Sequence, residues 1–354
     1  MGLRLEKRIT VTPLYSLGVA IFSLVLAFAV FSVVFLQAGI NPLTGYKEMF
    51  RLAFFTDYGL SKVVENTTVL LLLTLAFIVP LKAGIWNIGA EGQFYMGAIG
   101  ATGVSFALPN LPLGVLIPLM ILGAMASGGA WAAVVGYLKG KIGVNEIVTT
   151  LLLNYVATLA AYSLVVNGPW TCPERLPQSS LIPAAGRIPQ IGSTGIPCTI
   201  FIAIGIAIIL FFFLKKAKLG YEIRACGYSP TGARYAGISF LKVSLITMLI
   251  GGALAGLAGF HQASGVLGRL RYDISKGWGF YGIVFGLVAG LDPLVAIVVS
   301  FFLEGLIYGA NALQMTLGMS FGVAAVFIGI LFVIFIAGQF FLRYRIKWTR
   351  RRRS

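Results

Sequence analysis

The side chains in this sequence that can do chemistry are polar and few, and they gather in three places. The first is Asn87-Ile88-Gly89-Ala90-Glu91-Gly92-Gln93, where glycines alternate with two amides and an acid between long apolar runs. Groups of this kind are costly where water is scarce unless the backbone lines a cavity or is buried in protein. The other arrangement is a turn near Lys82 with Glu91 solvated. Asn87, Glu91 and Gln93 are therefore candidates for holding a polar solute. The second place is Lys139–Ala157, where Asn145 and Glu146 stand at the start of a helix and a carboxylate favours the positive dipole end. Thr149, Thr150 and Asn154 follow at helical spacing as one polar strip, facing either a pathway or a neighbouring helix. The third is Gly259-Phe260-His261-Gln262, followed later by Gly277-Trp278-Gly279-Phe280-Tyr281-Gly282. Gln262, Trp278 and Phe280 fit a stacking surface for a planar ligand, and equally an interfacial aromatic belt. His261, the one histidine, reads as interfacial rather than as a proton relay. Glu304 lies deep in an apolar run and calls for a helix neighbour.

Catalysis has almost no material here. There is no G-x-x-x-x-G-K-[ST] loop for ATP, no H-E-x-x-H and no cysteine pair at zinc spacing, so no metal site is expected. Cys172 and Cys198 share one polar loop and are candidates for a disulfide; two unrelated small residues fit as well, because sequence does not fix their separation. Cys226 stands apart in a basic stretch.

Positioning these groups falls to apolar helices. Of the 354 residues 58% are hydrophobic and only 11% charged, where a soluble domain is normally about a quarter charged. With a mean hydropathy of +0.92, the chain reads as an all-α polytopic membrane protein. Its 44 glycines suit close helix packing in lipid. A net charge of +16 fits inner loops and a tail better than nucleic-acid binding. Ten segments emerge: 14–38, 63–84, 94–108, 113–138, 146–166, 199–214, 243–260, 277–290, 294–310 and 317–342. The first is too long for a signal-peptide core and about right for a tilted span. Residues 39–62 form an amphipathic connector, Lys139–Lys141 a turn, and Asn167–Pro197 a proline-rich outer loop. Lys and Arg concentrate on the side of the termini that an even count requires, so both ends are expected in the cytoplasm. The domains follow: an N-terminus (1–13), one transmembrane domain (14–342) with a loop at 215–242, and a basic tail (343–354).

That loop, KKAKLGYEIRACGYSPTGARYAGISFLK, carries six Lys/Arg against the single acid Glu222. Ser229 followed by Pro230 is an N-cap with proline at the first helical position, and Gly237 is a stop. The helix between them, Thr231–Ala236, is too short to persist unless something packs on it. It reads as a docking helix at the membrane surface, the alternative being a loop that merely fixes orientation.

NIGAEGQFYMGAIGA, LKGKIGVNEIVTTLLLNYVA with the NGPW after it, GYEIRACGYSPTGARYAGIS, GGALAGLAGFHQASGVLGRL and GWGFYGIVFGLVAG occur in this order over residues 63–335. In this the chain resembles the membrane permeases of bacterial and archaeal ABC importers, in the branch that takes up nucleosides and simple sugars. The resemblance implies about ten helices per permease and two permeases around a central path. It also implies two separate ATPases that bind ATP and Mg below, and an external solute-binding protein above. It makes the docking helix a coupling helix, with Tyr221, Arg224, Ser229, Pro230, Ala233, Arg234, Tyr235 and Gly237 toward the ATPase. Ser229 stands where relatives often have Asn, and Tyr281 where many have Asp. The function expected is ATP-driven import of a neutral polar solute, a nucleoside first, riboflavin or a simple sugar as alternatives. An ion-coupled transporter using Glu91, Glu146 or Glu304 is the rival from another class.

Overall fold

The computed structural model describes residues 2–7, 12–319 and 321–349; the remaining parts of the expected N-terminus and tail lie outside the described residues. All ten expected segments are helices. They are α1 (Pro13–Gln37), α3 (Asp57–Lys82), α4 (Ala90–Ala107), α5 (Leu113–Ile142), α6 (Glu146–Val165), α7 (Thr199–Lys216), α10 (Phe240–Phe260), α11 (Trp278–Val288), α12 (Pro293–Leu317) and α13 (Phe321–Arg343). Eight are long and apolar enough to cross a membrane; α4 and α11 are not. Three further helices fill the connectors: α2 (Pro42–Phe54), α8 (Lys218–Tyr228) and α9 (Pro230–Tyr235).

Local chemistry explains where the boundaries moved. The expected Lys139–Lys141 turn is instead the last turn of α5, which stops at Gly143 with φ +72°. Cations are favourable at a helix C-terminus, so two lysines prolong the helix. Within the 39–62 connector, Asn41 caps α2 by accepting from the Leu43 amide at 2.9 Å, with Pro42 next in line. Beyond α10 the chain continues as a π-helical turn, His261–Leu267, where a regular helix was expected to end.

Two compact units are present: residues 1–60 with 305–354, and residues 61–304. In the first, Phe28 and Phe35 of α1 meet Tyr46 of α2 edge-on, and Phe31 packs on Phe327 of α13. Backbone pairing of two short strands, β1 (Gly2–Lys7) and β2 (Tyr344–Thr349), joins the two ends of the chain antiparallel. The two ends of the chain are therefore side by side.

The second unit is centred on α4, α5 and α10, packed backbone to backbone. Gly97, Gly128, Gly252 and Gly256 meet where the three helices cross, and a side chain at Gly256 would run into the Ala124 carbonyl. Ser127 Oγ donates to the Met96 carbonyl and Ser244 Oγ to the Gly136 carbonyl, both at 2.8 Å. In lipid such close approach supplies the dispersion contacts that hold helices together. The loop after α6 is tied to the segment beyond the π-turn, with the Ser179 amide bonded to the Leu270 carbonyl at 2.7 Å.

Gly256→Leu should therefore overpack the crossing and cost roughly 1–3 kcal/mol, whereas Gly205→Leu on α7, with open space beside it, should cost little. Thermal unfolding of the detergent-solubilised protein, followed by tryptophan fluorescence, measures both; equal melting temperatures would contradict this packing.

Candidate functional site

Asn87 follows the turn that ends α3 and is fully buried. Its side chain and that of Gln93, on the first turn of α4, close on each other twice. Asn87 Nδ2 donates to Gln93 Oε1 at 2.9 Å, and Gln93 Nε2 donates to Asn87 Oδ1 at 2.8 Å. The remaining Asn87 capacity goes to the Ala76 carbonyl and the Gly89 amide, both at 3.2 Å. Asn154, on α6, accepts from the Gly92 amide at 2.8 Å and donates to the Ile88 carbonyl at 3.0 Å. Glu91 turns the other way and accepts from the Gly279 amide in the first turn of α11 at 2.8 Å, a helix end that favours a carboxylate.

The four groups thus satisfy one another and the backbone around them. The polar strip of α6 faces a neighbouring helix rather than open space at Asn154. Thr149 and Thr150 bond back to the Asn145 and Glu146 carbonyls. Asn145 is an exposed N-cap, accepting from the Ile147 amide at 3.0 Å. Glu146 is ion-paired to Lys139 at 2.7 Å and accepts from the Trp86 amide at 3.3 Å.

Trp278 and Phe280 do not make one stacking surface. Two residues apart on a helix, they point to different sides. Trp278 is buried edge-on to Phe94, and Phe280 is exposed. Of the two readings of Cys172 and Cys198, the structure has the unbridged one: both are free, and the Cys172 thiol donates to the Leu176 carbonyl at 3.6 Å. His261 is not interfacial, being fully buried with Nδ1 bonded to Thr199 Oγ1.

Of the eight residues expected along a solute path, Gln262 alone has a buried polar atom, Oε1, without a partner. Sequence reasoning also passed over two polar residues of α3 and α12. Asn66 on α3 donates to Glu304 on α12 at 2.8 Å, and the hydroxyl of Ser300 is buried and unpaired. An amide inside Glu65-Asn66-Thr67-Thr68, where α3 enters its apolar run, was the available signal.

Helix α9 is capped as its residues require. Ser229 Oγ accepts from the Gly232 amide at 3.0 Å, Pro230 is the first residue, and Gly237 ends it with φ +78°. Ala233 faces inward, the Arg234 guanidinium lies 5.9 Å from the Phe240 ring, and Tyr235 is 91% exposed. Before it, α8 buries Ile223 and Cys226, leaves Tyr221 and Tyr228 outside, and holds one Arg224 guanidinium nitrogen unpartnered. Burial, and then Glu222, push the Cys226 thiol above its ordinary pKa. Gly227 closes α8 directly on the Lys82 carbonyl, at the turn leading to Asn87.

Comparison with known proteins places this arrangement in a family. The chain belongs to the family described as the permease component of branched-chain amino acid transport systems, which matches residues 59–336. It is thus a multi-pass membrane permease, a transport subunit rather than an enzyme. It is 32% identical to a glucose ABC transporter permease protein of Haloferax volcanii, over 97% of this chain and 93% of the relative. A guanosine ABC transporter permease protein of Bacillus subtilis is 29% identical, over 94% and 97%. A nucleoside ABC transporter permease protein of Lactococcus lactis is 30% identical, over 78% and 79%. A second guanosine permease protein of B. subtilis also matches, at 29% over 69% of this chain. No solved structure matches.

Because Asn154 holds Gly92 and Ile88 in place, Asn154→Leu should leave a buried amide and carbonyl unpaired, at about 1–3 kcal/mol each. The detergent-solubilised variant should melt several degrees lower. An unchanged melting temperature with transport lost would make Asn154 a solute contact instead.

Proposed function

We propose that this permease imports a nucleoside across the cell membrane, driven by ATP hydrolysed on partner subunits. The observation that carries the reading is the bracketed helix α9. It is a six-residue element, which does not persist alone in water, and its last residue Tyr235 and the preceding Tyr228 are almost wholly exposed. An exposed, cap-stabilised short helix with arginine beside it fits a groove on another protein. Two ATPases holding ATP and Mg would occupy the side of α8 and α9, which makes that side cytoplasmic. A second permease, identical or not, would complete the path, and an external binding protein would deliver the solute. Two guanosine permeases in one bacterium support such pairing.

The nucleoside reading draws on the names of two relatives and on the scarcity of unpaired charge inside the described residues. A simple sugar is the second reading, favoured by the similarity to the glucose permease. Alternation between inward and outward states needs contacts that differ between them, here supplied by the ATPases. Since Gly227 abuts the Lys82 carbonyl, a push on α9 reaches the turn that carries Asn87 through α8.

The assembled importer in proteoliposomes tests the function directly. Guanosine, inosine or uridine delivered by the binding protein should stimulate ATP hydrolysis; stimulation by glucose alone would select the second reading. The coupling role has its own test. Gly237→Val puts a β-branched residue at positive φ, a strain of roughly 1–3 kcal/mol, and should lower the ATPase retained on purified permease several-fold at unchanged permease yield. Full retention with normal transport would contradict it.

A further inference from the structure

Six of the eight buried polar atoms without partners among the described residues lie on α3, the π-turn and α12, all in the second unit. The first unit holds a cavity instead, of about 780 Å³ between α1 and α13. Gly18, Phe22 and Leu26 line it from α1, and Ile334 and Ala337 from α13. The two helices close on each other at Ser23 and Gly338, where a side chain on Gly338 would run into the Ser23 hydroxyl. At Gly18 the space is open, with nothing within 4 Å of where a side chain would begin. The groove lies on an outward face, since Phe22 is 66% exposed. Its volume is that of a small-ligand site, roughly 300–1,000 Å³. Its walls suit no polar solute: Ser23 is buried, and Thr12 and Tyr15 stand at one end.

That end differs from the rest. The Tyr15 hydroxyl, at the start of α1, donates to the Phe341 carbonyl of α13 at 3.5 Å. From there the chain passes directly into the strand pair. Tyr344 follows Phe341 by three residues, a reach of at most about 11 Å. The register sets Arg4 opposite Lys347 and Glu6 opposite Arg345. Alternation along the strands places Arg4, Arg345 and Lys347 on one face of the ribbon, and Leu3, Leu5, Ile346 and Trp348 on the other. Counting Lys7 and Arg343, the described ends carry five cations against the single acid Glu6. A ribbon with one apolar and one basic face suits the boundary between acyl chains and anionic headgroups.

We propose that the groove between α1 and α13 holds an acyl chain of an anionic phospholipid, whose phosphate meets the cations of the β1–β2 ribbon. Charge complementarity selects this occupant. The walls accept an apolar chain and give a sugar or a base little to bond, while the cationic end favours a headgroup with net negative charge. Basic clusters beside membrane helices recognise anionic lipids in this way. A lipid seated there binds the folded first unit and so stabilises it by mass action. The inference is independent of which solute the permease carries.

Purified full-length permease in detergent, titrated with phosphatidylglycerol or phosphatidylcholine and read by native mass spectrometry, tests this. Phosphatidylglycerol should be retained at least fivefold more strongly, and should raise the melting temperature by several degrees where phosphatidylcholine does not. Gly18→Phe fills the open space with a better helix former than glycine. It should lower phosphatidylglycerol retention at least fivefold while the lipid-free melting temperature stays the same. Arg345→Gln combined with Lys347→Gln should bring the two lipids toward parity. Equal retention of both lipids by the wild type overturns the proposal, as does unchanged phosphatidylglycerol retention in Gly18→Phe. A wild-type dimer that Gly18→Phe splits, with lipid retention unaltered, would make the groove an interface between copies and overturn it too. Should Gly18→Phe fail to fold, Ala337→Phe fills the same groove from α13 and decides in its place.

Discussion

Asn87 and Gln93 are both buried where they meet, and much else in the second unit follows from that. An amide side chain has donor and acceptor capacity that lipid does not satisfy. These two satisfy each other reciprocally, then use what remains on the Ala76 carbonyl and the Gly89 amide. That closure fixes the turn between α3 and α4. Asn154 fastens α6 to the same turn through Gly92 and Ile88, and Glu91 fastens α11 through Gly279. Four helices are therefore tied at one polar node rather than by apolar packing, which in lipid discriminates weakly between one helix neighbour and another.

The node also sits close to the surface element. Only four residues separate Lys82, whose carbonyl receives Gly227 of α8, from Asn87. Between them, the Trp86 amide is held by Glu146, itself paired to Lys139 at the end of α5. On the proposed function, force from an ATPase on α9 enters through α8 at the Lys82 turn that leads to the polar node. The glycine-lined contact of α4, α5 and α10 is close-packed, and packed interiors transmit displacement instead of absorbing it. Unpaired groups are gathered elsewhere, on α3, the π-turn and α12. Rigid node and unsatisfied face are thus built from different side chains.

How much of this was legible in the sequence follows from how far each interaction reaches along the chain. Ten apolar segments were legible because each is a run of consecutive residues. The α9 bracket was legible because capping is decided within a few positions: Ser229 meets Gly232, and Gly237 needs only its own backbone. Helix α8 was missed because its inward residues, Ile223 and Cys226, are sparse among charges, and α2 because an amphipathic connector has no long apolar run. The role of the polar strip was not legible, since the partner of Asn154 is Gly92, 62 residues away, and that of Glu304 is Asn66, 238 residues away. Composition shows that such groups need partners; the fold alone says whether each partner is another residue or is still missing. Asn87, Gln93 and Asn154 fall in the first class and Gln262 Oε1 in the second, while Glu304 is divided, Oε1 held by Asn66 and Oε2 without a partner.

The central claim is that the Asn87–Gln93 amide pair is a mutually satisfied structural node. A double-mutant cycle on the solubilised permease addresses it most directly, with Asn87→Ala, Gln93→Ala and the double variant compared by thermal unfolding. If the two amides complete each other, either single change should cost nearly as much as both. The coupling between them should then be roughly 0.5–3 kcal/mol, as for residues in direct contact. Strictly additive losses, with each amide contributing as though the other were absent, would contradict the account.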